Sequence, residues 1–191
     1  MTRATRPPAD PGDRDDLPRR RRATEAEAQA LASALRLRII RLCVGEELTN
    51  KEIAERLGRN PASVLHHVRR LVTTGFLEPL PARRGNRGAR EVPYRSTGKS
   101  WRVDVTDAGP ARLYGELLRA FLDELADAGG RLTDATRFTV RLRPERRQEM
   151  QRRIAELLDE YRAAPDPDGR WWSLFVGIHQ DTRGTSRTPE P

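Results

Sequence analysis

The stretch "LTNKEIAERLGRNPASVLHHVRRLVTTG", residues 48–75, most constrains what this chain can fold into. Its punctuation dictates two short helices and a tight turn. Thr49 followed by Glu52 is a capping box, in which the hydroxyl accepts from the Glu52 amide and the carboxylate reaches back. Gly58 breaks the first helix, Asn60 is a favoured N-cap, and Pro61 suits a first helical position, where no amide bond is lost. Gly75 closes the second helix in a left-handed conformation. On a wheel of 100° per residue, Val64, Val68, Leu71 and Val72 fall together with Leu65 beside them. The opposite face carries Ala62, Ser63, His66, Arg69, Arg70 and Thr73. Small residues near the N-terminus of such a helix allow close approach to a major groove, and the polar ones reach base edges or phosphates. The competing reading is a solvated face on a helical hairpin.

The segment beyond Gly75 favours the groove. There the period shifts, and "FLEPL" and "VPYRST" predict two strands joined by the turn-rich "PARRGNRGARE". Arg83, Arg84, Arg87 and Arg90 line that loop, where there is nothing to bury. Arginines at a hairpin tip lie along phosphates or enter a minor groove. Charge agrees: the formal net charge is +8, and the cations are almost all arginine, with Lys51 and Lys99 the only lysines. That balance suits a polyanionic partner, although arginine and alanine richness is equally the mark of a GC-rich genome.

From "LASALRLRIIRLC" through "LTNKEIAERLGRNPASVLHHVRRLVTTGFLEP" the chain resembles the winged helix-turn-helix of ArsR-type bacterial transcriptional regulators. The resemblance covers about residues 28 to 97, under half of the 191 residues, and Ala34 stands where a proline is common. It implies a homodimer that binds an inverted-repeat operator in double-stranded DNA, usually as a repressor. It places DNA contact on Asn60, Ala62, Ser63, His66 and Arg70 and on the wing arginines. His67 matches a position where such helices often hold histidine; its place at the edge of the buried face leaves packing and phosphate contact both open. Many members sense metals, but Cys43 has no partner cysteine and falls on the apolar side of its helix. His66 and His67 point about 100° apart, unsuited to chelating one ion. No metal or cofactor is expected. The longer C-terminal part resembles a subgroup of actinobacterial winged-helix regulators.

The remaining segments divide by composition. Residues 1–22 hold one large aliphatic side chain, Leu17, and read as a disordered basic tail; 181–191 read as a second tail. Residues 23–100 make the winged domain and 101–180 a C-terminal module for dimerisation or sensing. In that module a helix over Asp107–Ala128 presents Leu113, Leu117, Phe121 and Leu125, a stripe for a twin helix or for its own chain. Then "TRFTVRL", "PERRQEMQRRIAELLDEYRAA" and "WWSLFVGIH" predict strand, helix and strand. Trp171, Phe175 and His179 fall on the far side of the last strand, a candidate pocket for a small-molecule effector or another subunit. The expected fold is α+β, mainly α.

Other classes find little support. "TGKS" at 97–100 imitates the end of a phosphate-binding loop, but Pro93 occupies the first glycine position and the stretch runs into strand-like "WRVDV". Lys99 is instead expected near a DNA phosphate. Three histidines, two in the candidate DNA helix, supply no hydrolase triad, so no enzyme is expected. No apolar run approaches the ~20 residues of a membrane helix, and a soluble, cytoplasmic, nucleoid-associated protein is the expectation. The rival function is a winged-helix protein-interaction module without specific DNA binding.

Overall fold

The computed structural model describes residues 21–85, 90–104 and 110–181. The chain divides into two compact units, residues 1–130 and 131–191. The boundary therefore falls after the Asp107–Ala128 segment rather than at 100/101.

The first unit is built on α1 (Glu25–Leu31), α2 (Ala34–Leu42), α3 (Asn50–Arg56) and α4 (Pro61–Thr73). The apolar run over residues 25–43 forms two helices, broken at Ala32 and Ser33. Both predicted signatures at α3 and α4 form. The Glu52 amide donates to Thr49 Oγ1 at 3.2 Å while the Thr49 amide donates to the Glu52 carboxylate at 2.7 Å; Asn60 Oδ1 accepts from the Ala62 amide at 2.8 Å. A second capping box, Thr24 with Glu27, opens α1. Val64, Val68 and Leu71 of α4 are wholly buried with Ile53 of α3, Ile39 of α2 and Phe76. Burial of each contributes about 1.5–3 kcal/mol. Cys43 joins them; desolvation pushes its thiol up to about 12, as for an inert core thiol.

Three antiparallel strands cover one side of this core. In chain order they are β2 (Leu48–Thr49), β3 (Leu77–Pro79) and β6 (Pro93–Ser96), with β6 central. Beyond them β4 (Arg83–Arg84) pairs with β5 (Arg90–Glu91), extending the wing. The predicted hairpin is thus present, and residues 86–89 at its tip lie outside the described part. Arg21 and Arg22, read as tail, form β1 and pair in parallel with β7 (Val103–Asp104). Between wing and β7, Gly98 (φ 68°) starts a four-residue helix, α5 (Lys99–Arg102), so "TGKS" opens no phosphate loop.

Helix α6 (Pro110–Asp127) closes the unit. Polar contacts fasten it to α2, with Arg38 lying 3.9 Å from Asp123. Glu116 accepts from the Ala34 amide at 2.7 Å, Arg38 pairs with Asp127, and Arg41 pairs with Glu124 at 3.2 Å. Ser33, the N-cap of α2, makes no side-chain cap, so Glu116 supplies that acceptor from 82 residues away. Glu116→Ala should lower stability by about 1 kcal/mol, the usual cost of a lost N-cap, read as a shifted urea midpoint with unchanged slope.

The second unit contains α7 (Pro144–Ala163). The predicted strands on either side of it are absent: among the described residues, 131–143 and 164–181 have no regular secondary structure. Alternation supplies a two-faced segment but no ladder partner, and these two segments do not pair with each other. No helix among the described residues is long and apolar enough to cross a membrane.

Candidate nucleic-acid interface

The turn between α3 and α4 is fixed from both sides. Gly58 adopts φ 60°, a left-handed conformation that costs glycine little. Asn50 Nδ2 then donates to the Pro61 carbonyl at 2.9 Å, tying the start of α3 to the first turn of α4. With Val64, Val68 and Leu71 buried, the outer face is set by the helical repeat. Asn60, Ala62, Ser63, His66, Arg69 and Thr73 are exposed there. The α4 N-terminus, capped by Asn60 and carrying the small residues Ala62 and Ser63, is part of that open face.

Two of the expected contact residues occupy a flank instead. Arg70 is half-buried and its Nη2 approaches Gln29 Oε1 of α1 at 3.3 Å. His67 is also half-buried. Desolvation, then Arg36, His66 and Arg59, lower its pKa, and Nδ1 is buried without a hydrogen-bond partner. A ring held neutral beside three basic groups suits packing better than phosphate contact. His66 and His67 meet edge to face at 5.7 Å between centroids, and among the described residues no group of three His, Cys, Asp or Glu is arranged to hold a metal.

The wing arginines also separate. Arg83 reaches back to the Glu52 carboxylate at 3.1 and 3.2 Å, which binds it to the residue that caps α3. Both side chains are about half exposed, so the pair contributes at most about 1 kcal/mol, and a phosphate competes readily for the guanidinium. Arg84 and Arg90 are cross-strand partners and exposed; like charges opposed across a ladder destabilise it slightly but concentrate positive potential. Arg87 lies outside the described residues. Arg59, exposed in the turn before α4, adds a cation that sequence reasoning missed; its place between the Gly58 turn and the Asn60 cap was the available signal.

Lys99 is not at the surface where a phosphate contact needs it. Its Nζ lies 2.6 Å from Glu27 Oε1, donates to the Thr74 carbonyl at 2.5 Å, and sits over the Phe76 ring at 5.3 Å. It clamps the end of α4 to the start of α1. Gly75, at φ 74°, accommodates this closure; a Cβ there would stand 3.1 Å from Lys99 Nζ.

The stripe read for subunit contact divides. Leu113 is buried in the chain's own core and Leu117 packs against it, because the α2 contacts draw that side of α6 inward. Leu113, expected at a subunit contact, therefore has no open surface to offer a second chain. Phe121 and Leu125 are half-buried, while Tyr114, Leu118 and Leu122 are exposed along α6. Trp171 and Phe175, read as an effector pocket, stand exposed in the second unit. No described residue of that unit is buried, so none forms an enclosed wall around them.

Residues 31–79, from the end of α1 to the end of β3, match the family model of a helix-turn-helix domain. No curated protein matches the chain. Among the solved structures that align with it are two bacterial proteins. One is a homodimeric winged helix-turn-helix DNA-binding domain from Mycobacterium bovis, described as a possible ArsR-family transcriptional regulator. It is 21% identical, with 58% of this chain and 85% of that chain covered and a TM-score of 0.31. The other is a mutant of Lactococcus lactis ZitR in apo form, 22% identical, with 70% and 86% covered and a TM-score of 0.29.

Proposed function

We propose that the chain is a sequence-specific DNA-binding transcriptional regulator of the ArsR type, acting as a homodimer and a repressor. One observation carries this reading: α4 buries Val64, Val68 and Leu71 and turns an open face of Ala62, Ser63, His66 and Arg69 outward, beside a two-stranded arginine wing. In that arrangement α4 enters the major groove, Ser63, His66 and Arg69 meet base edges, and Arg84, Arg90 and a released Arg83 lie on phosphates. The helix-turn-helix match over 31–79 supports the domain assignment, and the pattern across residues 28–97 that resembles ArsR regulators supports the rest. Exposed Tyr114, Leu118 and Leu122 on α6 suit a twin helix across a two-fold axis, which would set two recognition helices one DNA turn apart.

The test is anisotropy of duplex DNA, titrated at several salt concentrations. Affinity should fall steeply with salt, with a slope of about −0.9 per phosphate neutralised. Arg84→Ala should weaken binding to every sequence alike and reduce that slope by about 1, whereas His66→Ala should relax sequence preference by about 1–3 kcal/mol. A flat salt profile, or identical behaviour of the two variants, would overturn the assignment. Absence of any duplex binding at low salt would favour a protein-interaction module built on the winged helix.

A further inference from the structure

We propose that residues 136–142 and 171–178 become strands only by pairing with a second copy of this chain, so that the second unit is half of a two-chain sheet. The observation behind this is a unit without a core. No described residue from 131 to 181 is buried, yet Phe138, Tyr161, Trp171, Trp172 and Leu174 are 70, 74, 72, 64 and 67% exposed. With the exposed aliphatics around them, and ~150–250 Å² per aromatic, they leave on the order of 1,000 Å² of apolar side chain in water. A standard interface takes about 800 Å² from each partner. The area fits a stable dimer.

The strand count selects a second copy as occupant. Phe138, Val140 and Leu142 alternate on one segment, and Trp172, Leu174, Val176 and Ile178 on the other, which is the period of a strand and not of a loop. Yet neither segment belongs to a ladder among the described residues. Two strands of one chain would make at best a marginal sheet, since independent stability needs three or more with a covered face. Two copies supply four strands and two α7 helices, which present Met150, Ile154 and Leu158 as a cover.

Composition also sets the order. Residues 171–178 are apolar on both faces and belong at the centre, paired with themselves across the two-fold axis. Residues 136–142 carry Arg137, Thr139 and Arg141 on their second face and belong at the edges, where charge discourages further pairing. Because a chain's own two segments share no ladder, each edge strand pairs with the partner's 171–178. Trp171 and Phe175 then lie between subunits rather than in an effector pocket. This inference stands apart from the DNA reading.

Hydrogen exchange of the full-length chain, run beside sedimentation, tests it. At micromolar concentration the chain should sediment as a dimer, and the amides of 136–142 and 171–178 should exchange about a hundredfold slower than unstructured peptide. Val176→Arg should abolish that protection and open Trp171 and Trp172 to iodide quenching, while the α4 amides stay protected, showing that the first unit is still folded. A monomer overturns this proposal together with the proposed homodimer, whereas a dimer whose 136–142 and 171–178 amides exchange freely overturns this proposal alone. Protected amides with no duplex bound would instead overturn only the DNA reading.

Discussion

Lys99→Met should destabilise the first unit by about 2–3 kcal/mol, measured as a shift in the urea midpoint at neutral pH. Glu27 is buried and its carboxylate serves four donors. Arg21 gives two hydrogen bonds at 2.6 and 2.8 Å, the Thr24 amide one at 2.8 Å, and Lys99 Nζ lies at 2.6 Å. Removing one partner of a buried pair costs about 3–5 kcal/mol when nothing replaces it. Here Arg21, half exposed, remains as a partial substitute and lowers the figure. The same change leaves the Thr74 carbonyl, at the end of α4, without the lysine it accepts from. Glu27→Gln with Lys99→Met should recover part of the loss, since no buried charge is then short of a partner.

This cluster also fixes a pH dependence with a definite sign. Hydrogen bonds from Arg21, and then those from Lys99 and the Thr24 amide, hold the Glu27 carboxyl well below the usual carboxylate range despite its desolvation. A depressed folded pKa means stability that is fully present above the unfolded value, about 4.3, and lost as pH falls toward the folded one. Stability should therefore drop between pH 5 and the acid limit, and Lys99→Met should shrink that drop. If Lys99 served DNA instead, the variant would keep its urea midpoint and lose salt-dependent affinity.

The cluster shows where sequence reading runs out. Thr24 with Glu27 and Thr49 with Glu52 are both capping boxes, legible because donor and acceptor lie three residues apart. The α3–α4 pair was readable for the same reason: caps, turn glycine and apolar stripe are local. Lys99 and Glu27 are far apart in sequence, and no spacing rule joins them. The Glu116 cap on α2 is equally remote. In α6 the apolar stripe is wider than one contact needs, and periodicity could not say that Leu113 turns inward while Leu118 stays out. For 136–142 and 171–178, alternation predicted strands that the described residues do not form, because a two-faced pattern does not by itself supply a ladder partner. The wheel put Arg70 on the outer face and His67 at the edge of the buried one; the proximity of α1 and of Arg36, which the wheel omits, goes with their half-buried positions on a flank.

Ala62→Glu separates folding from function, and its expected effect on binding is the largest of all. Ala62 is exposed in the first turn of α4, and its amide donates to the Asn60 cap. A carboxylate there interacts favourably with the helix dipole, by about 0.3–1 kcal/mol, and meets no buried neighbour. The urea midpoint should hold or rise slightly. In the groove the same carboxylate would face base acceptors and phosphates across the closest approach of the complex, and like charges so placed cost several kcal/mol. Duplex affinity should fall by at least about a hundredfold, equivalent to ~2.7 kcal/mol at about 1.4 per decade. Gln151→Glu, exposed on α7 of the second unit, makes the same change in net charge outside the residues proposed to touch DNA and should alter binding far less. If both variants bound like the parent, α4 would not be the element in the groove, and the open face of Ala62, Ser63, His66 and Arg69 would have to be assigned to another partner.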